Sequence, residues 1–188
     1  MIKNKILLIY SSRFGYTKKI AEFIAERLKK QGNLVDIYSL EDVINNNLSD
    51  QLQEYQGIII GASIRYGHYD KKLALFVEKN ATLLNEKQAC FYSVSILASK
   101  EHRNTAETHT YTRKFFEKST WQAKIIGIFA GELDYAKYSL PEKYLMLLVM
   151  KINGRKTTLK ERIEFTDWNK IEEFVKKFQE LLIQQSSS

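Results

Sequence analysis

The chain has 188 residues, 44% of them hydrophobic and 27% charged, which is enough apolar material for a buried core and a length that favours one domain. No run approaches the roughly 20 apolar residues of a membrane-spanning helix, and the N-terminus carries no apolar block with a cleavage site, so a cytoplasmic chain is expected. The net charge of +7 points to an anionic partner, whether nucleic acid, an acidic ligand or anionic lipid.

The first element is an apolar strand, Ile6-Leu7-Leu8-Ile9, that empties into Ser11, Ser12, Arg13, Phe14, Gly15, Tyr16 and Thr17 before a helix begins. This is the build of a phosphate site. N–H groups at a helix start lack intrahelical partners, the helix dipole adds positive charge there, and hydroxyls supply further donors. The loop lacks the Gly-Lys-Ser/Thr ending of an NTPase loop, and one glycine cannot make the three-glycine dinucleotide fingerprint, so a single terminal phosphate such as that of FMN fits best. An ordinary capped strand–helix turn is the plain alternative.

The helix after the loop is expected over 17–31, with Ile20, Phe23, Ile24 and Leu28 on one stripe and Gly32 as its stop. A second strand follows over 34–38, then a polar stretch, 41–56, that promises only short helical turns. Gly57-Ile58-Ile59-Ile60-Gly61 reads as a fully buried strand. A helix over 70–84, a strand over 90–94, a helix over 104–118 and a strand over 125–130 complete the alternation, and a last helix spans 169–183. The lone cysteine, Cys90, falls in the fourth strand and reads as a core residue. Short apolar runs alternating with helical periods predict an α/β three-layer sandwich with a five-stranded parallel sheet of flavodoxin-like order 2-1-3-4-5. Its ligand crevice lies at the carboxyl ends of strands 1 and 3. One domain over 1–185 is expected, with 186–188 as a frayed tail.

About forty residues separate the fifth strand from the last helix, against the two to six usual for such a connection. We place a long insertion there, over about 134–162. It contains an apolar helix over 141–152 that starts at Pro141 and stops at Asn153-Gly154. Apolar residues run nearly all the way round this helix, so more than one face should be hidden. Lys143, Lys151, Arg155, Lys156, Lys160 and Arg162 surround it with positive charge. The readings that remain open are a helix tucked into the core or a dimer interface, and a contact with a membrane surface or an apolar substrate.

The segment Ile60-Gly61-Ala62-Ser63-Ile64-Arg65-Tyr66-Gly67-His68-Tyr69, with Phe91-Tyr92-Ser93-Val94, Ala130-Gly131 and Phe165-Thr166-Asp167-Trp168, resembles the flavodoxin-type, menaquinone-dependent protoporphyrinogen dehydrogenases of haem biosynthesis. The resemblance spans essentially the whole chain and departs from the common pattern at Phe14. It implies FMN held by residues 11–17. Ser63, Ile64, Arg65, Tyr66 and Gly67 would approach one side of the ring system, and Tyr92, Ser93, Val94 and Ser95, with Ala130 and Gly131, another. Tyr66, His68, Tyr69 and Tyr92 would offer aromatic faces, and His68 is the candidate proton acceptor. The implied reaction removes six electrons from protoporphyrinogen IX in three rounds, with a membrane quinone, menaquinone or ubiquinone, as acceptor. Arg13, Arg65, Arg103, Arg155 or Lys156 would pair with the propionates. The implied setting is peripheral, at the cytoplasmic face of the bacterial inner membrane, with no metal and no nucleic acid. Rival readings are an NAD(P)H:quinone reductase, a flavodoxin-like electron carrier, which should be acidic, and a nucleic-acid-binding module, for which no motif is visible.

Overall fold

The computed structural model describes residues 4–152 and 154–186. Five strands, β1 (Lys5–Ser11), β2 (Leu34–Ser39), β3 (Gly57–Ser63), β4 (Gln88–Val94) and β5 (Ile126–Phe129), form one parallel sheet in the order β2-β1-β3-β4-β5. Side chains alternate between the two faces of each strand. Ile6, Leu8, Ile59, Cys90 and Tyr92 therefore pack under α1 (Tyr16–Lys30) and α7 (Trp168–Ser186). Leu7, Ile9, Ile58, Ile60 and Phe91 pack under the opposite layer, made of α2 (Leu40–Asn45), α3 (Lys71–Lys79), α4 (Ala81–Glu86) and α5 (Thr110–Lys118). Every β3 residue from Gly57 to Ala62 is buried because both faces of that strand are covered. Each such aliphatic side chain contributes roughly 1.5–3 kcal/mol of transfer free energy.

The sheet order and the three layers are those expected. The details differ where side chains compete with backbone. The helix expected over 70–84 is two helices, because Asn80 Nδ2 donates to the Phe76 carbonyl (2.7 Å) and ends α3 there. The helix expected over 104–118 begins only at Thr110, since Thr105 and Thr108 bond each other's backbone and hydroxyl groups in a preceding turn. The second strand and the last helix run a little longer than expected, and α7 includes Ser186. The rest of the expected tail, Ser187 and Ser188, and Asn153 of the expected helix stop lie outside the described residues. Cys90 is fully buried, and burial pushes its thiol up to about 12, which leaves it unreactive.

The insertion has an architecture of its own. Two short strands, β6 (Glu132–Asp134) and β7 (Arg162–Glu164), pair antiparallel and close its base, with Leu133 opposite Ile163. Three-residue strands are too short to show a period in sequence. Between them α6 (Leu140–Ile152) lies across the carboxyl end of the sheet, anchored by Met150 in a cluster with Leu133 and Tyr135. That helix is less hidden than its composition predicts. Leu140, Tyr144, Leu148 and Ile152, four residues apart, are 69%, 63%, 54% and 74% exposed and form one apolar stripe.

Candidate functional site

The site is built around the end of β1. Gly15 takes a left-handed φ of 85°, which an L side chain resists, and its N–H donates to Ser12 Oγ (3.1 Å). Helix α1 then starts with no side-chain cap and no acidic residue in its first turn, so its free N–H groups and dipole are left for an external anion. Thr17 is buried, and its carbonyl accepts a hydrogen bond from the Tyr92 hydroxyl (3.0 Å). Tyr92 is fully buried with its ring against Gly61, where a Cβ would stand 1.9 Å from the ring. Its place is beneath the loop as a support. The expectation that Tyr92 offers an aromatic face to a ligand is therefore corrected.

A second wall follows β3. Arg65 and His68 exchange backbone hydrogen bonds of 2.9 and 3.0 Å across a two-residue turn, Tyr66-Gly67, with φ of 48° and 82°. This is a hairpin turn with both central residues left-handed, a geometry that glycine and asparagine adopt readily and tyrosine does not. Holding Tyr66 there costs on the order of 1 kcal/mol, and the residue stays 57% exposed at the cavity edge. The strained residue thus places an aromatic side chain in the cavity lining, with its hydroxyl on Glu142.

These walls, the loop after β4 and the insertion enclose a cavity of about 420 Å³. Of the residues singled out from sequence, it brings together Ser12, Arg13, Phe14, Tyr16 and Thr17, then Ser63, Ile64, Arg65, Tyr66 and Gly67, and also Val94, Ser95 and Gly131. Ser11, Gly15, Ser93 and Ala130 are not part of this lining, and of these Ser93 and Ala130 are buried. Ser93 Oγ accepts from the Tyr69 hydroxyl (2.7 Å), and the Ala130 carbonyl from the Thr166 hydroxyl (2.8 Å), which in turn meets the Tyr16 hydroxyl at 2.5 Å. Tyr69 is buried in the core. His68 is exposed beside the cavity, outside its lining, with its Nδ1 3.1 Å from the Tyr66 carbonyl. Arg103, Lys143, Lys151, Arg155 and Lys156 also lie away from the lining, and the Arg155 guanidinium covers the Phe165 ring at 4.5 Å.

The insertion adds residues that local sequence did not single out. Leu145, Met146 and Val149 of α6 make an apolar wall, and Tyr138 meets Phe14 edge-on at 5.0 Å. Burial pushes the Tyr138 phenol up to about 12, so it stays neutral. Glu142 accepts from Arg13, Arg65 and Tyr66 and ties α6 to both loops. Hydrogen bonds from the Ser139 backbone and hydroxyl, helped by these neighbours, lower its pKa and keep it a carboxylate. The one sequence signal that could have found it is Ser139-Leu140-Pro141-Glu142, the spacing of a helix capping box. Among the described residues no group of three or more side chains could hold a metal ion.

Comparison with known proteins agrees with this geometry. The flavodoxin domain family matches residues 7–160. A protoporphyrinogen IX dehydrogenase [quinone] of Escherichia coli (strain K12) is 34% identical over 94% of this chain and 96% of its own length. The chain belongs to this dehydrogenase family. The family's Leishmania major member is likewise 34% identical, over 93% of this chain and 74% of its own length. Among solved structures, the rubredoxin oxygen:oxidoreductase of Desulfovibrio gigas superposes with a TM-score of 0.59 at 10% identity, which shows shared fold alone; it covers 99% of this chain, which spans 38% of that larger protein. As a flavodoxin-domain member of this enzyme family, the chain carries a flavin site. The residues fit one: an uncapped helix start for an anion, an exposed tyrosine and apolar walls for a planar ring system.

Proposed function

We propose that the protein oxidises protoporphyrinogen IX to protoporphyrin IX in haem biosynthesis, with FMN as cofactor and a membrane quinone, menaquinone or ubiquinone, as acceptor. The observation that carries this reading is a cavity that joins an anion cradle to two guanidiniums, Arg13 and Arg65, at the edge of walls supplied by an apolar helix. The family relationship to enzymes named for this substrate and for quinone supports it.

In this reading, backbone N–H groups from Ser12 to Thr17 hold the terminal phosphate, and a single such cradle favours the mononucleotide over a dinucleotide. Tyr66 lies against the ring system. Arg13 and Arg65 attract the substrate's carboxylates, and Leu145, Met146 and Val149 cover its apolar body and keep water out. When bound, the flavin supplies the electron acceptor for each two-electron removal and hands the electrons on to quinone. In this reading the protons released pass to solvent, which also reaches the exposed His68.

The exposed stripe of α6, with Lys143 and Lys151 on the same helix and Arg155 and Lys156 just beyond it, supports peripheral attachment to the anionic cytoplasmic face of a bacterial membrane, where the quinone resides. No helix among the described residues is long and apolar enough to cross a membrane. The net charge of +7 speaks against an electron carrier of the acidic flavodoxin type. The test is anaerobic mixing of the FMN-loaded protein with protoporphyrinogen. The flavin absorbance should bleach and return on adding a quinone analogue, while NADH or NADPH should leave it unchanged. Bleaching by reduced nicotinamide alone would instead make the protein an NAD(P)H:quinone reductase.

A further inference from the structure

Glu142 stands at the first turn of α6, and its two carboxylate oxygens have different partners. Oε2 accepts the backbone N–H (3.0 Å) and the hydroxyl (2.8 Å) of Ser139, which caps the helix. Oε1 accepts from Arg13 Nη1 (2.9 Å), Arg65 Nη2 (2.9 Å) and the Tyr66 hydroxyl (3.1 Å). The Glu142 side chain is 12% exposed, whereas those of Arg13 and Arg65 are 43% and 46% exposed at the cavity edge. One oxygen therefore holds two guanidiniums, each through a single nitrogen. A guanidinium fork is better satisfied by both oxygens of a carboxylate, and two arginines against one glutamate leave the cluster with a net positive charge.

We propose that Glu142 holds a carboxylate-binding subsite shut. Its Oε1 occupies the position of a ligand carboxylate between Arg13 and Arg65, and a propionate of the tetrapyrrole substrate takes that position, freeing the start of α6 from the cavity edge. Oε2 keeps the helix capped throughout. An uncharged ligand cannot make this exchange, so the latch selects for the free acid. The proposal rests on the substrate reading above.

The experiment uses the FMN-loaded protein, with protoporphyrin IX and its dimethyl ester as probes and quenching of porphyrin fluorescence as the readout. Glu142→Gln retains a capping oxygen but removes the competing charge. It should tighten diacid binding about three- to ten-fold, the scale of losing one partly exposed ionic competitor, and leave the ester unchanged. Arg65→Gln, read in parallel, should weaken the diacid and not the ester, which keeps the test decisive if the first variant melts. Amide exchange over 139–146 should quicken when the wild-type protein binds the diacid. An unchanged ratio of acid to ester affinity in both variants overturns the latch while the substrate reading stands. So does a change in affinity for FMN but not riboflavin at an unchanged ratio, because the arginines would then serve the flavin phosphate. If neither porphyrin binds to any form, the substrate reading falls and the latch with it.

Discussion

His109 is 1% exposed, and its Nδ1 stands 2.7 Å from Thr112 Oγ1, which continues through the Tyr69 hydroxyl to Ser93. Burial, with the charge of Arg103 second, lowers its pKa from 6.5 to about 4. Below pH 6.5 the unfolded chain takes up a proton here that the folded chain refuses until about pH 4. Stability is therefore lost as pH falls through that window, by no more than roughly 3 kcal/mol at about 1.4 kcal/mol per unit. Thermal melts of the wild type should fall more steeply from pH 7 to pH 4 than those of His109→Gln; parallel curves would mean that His109 titrates normally. At Tyr66 the left-handed backbone and the residue's exposure set fold against function. Tyr66→Gly should leave the apo protein as stable or about 1 kcal/mol more so, while flavin affinity, read by fluorescence titration, falls several-fold. Loss of stability would show that the ring's contacts outweigh the strain. The phosphate-type loop was legible because backbone donors, a glycine and hydroxyls follow one another in sequence. The supporting role of Tyr92 was not, because its partner Thr17 is 75 residues away.

At the scale of elements, α6 is where composition and structure part. Nearly continuous apolar sequence predicts a hidden helix, yet only Met150 of α6 is fully buried. One side packs on Leu133 and Tyr135, a second lines the cavity, and a third is open. The packing of the insertion forms a cluster apart from the two that sandwich the sheet. Deleting residues 134–160 should therefore leave the sheet folded by circular dichroism and FMN still bound, though more weakly. Turnover with porphyrinogen and quinone should be abolished, since the deletion removes Tyr138, Glu142, Leu145, Met146 and Val149 from the cavity. Global unfolding of this variant would make α6 part of the core, and full turnover would remove the insertion from the chemistry.

For the whole molecule, the net charge of +7 does not choose a partner by itself, but Lys143 and Lys151 share a helix with an exposed apolar stripe, and a test of membrane contact starts there. Changing Lys143, Lys151, Arg155 and Lys156 together to Gln should weaken sedimentation with anionic vesicles, each residue contributing about 1 kcal/mol near such a surface. The difference from wild type should be largest at low salt, where screening is weak. Leu148→Asp, on the stripe, should weaken binding at every salt concentration because it removes apolar burial. Equal sedimentation of all three proteins would mean that the stripe meets something other than lipid.

The sequence by itself determined the alternation of strand and helix, the buried character of β3, the phosphate-type loop and the existence of a long insertion. These are local properties, set by side-chain period and by turn chemistry within a few residues. Only the tertiary structure decided which side chains share the cavity with that loop. Arg13 and Glu142 are 129 residues apart, and Arg65 and Glu142 are 77 apart. Their meeting depends on how the β6–β7 ladder suspends α6 across the end of the sheet. Such contacts follow from the relative placement of whole elements, and no periodicity within either segment encodes that placement.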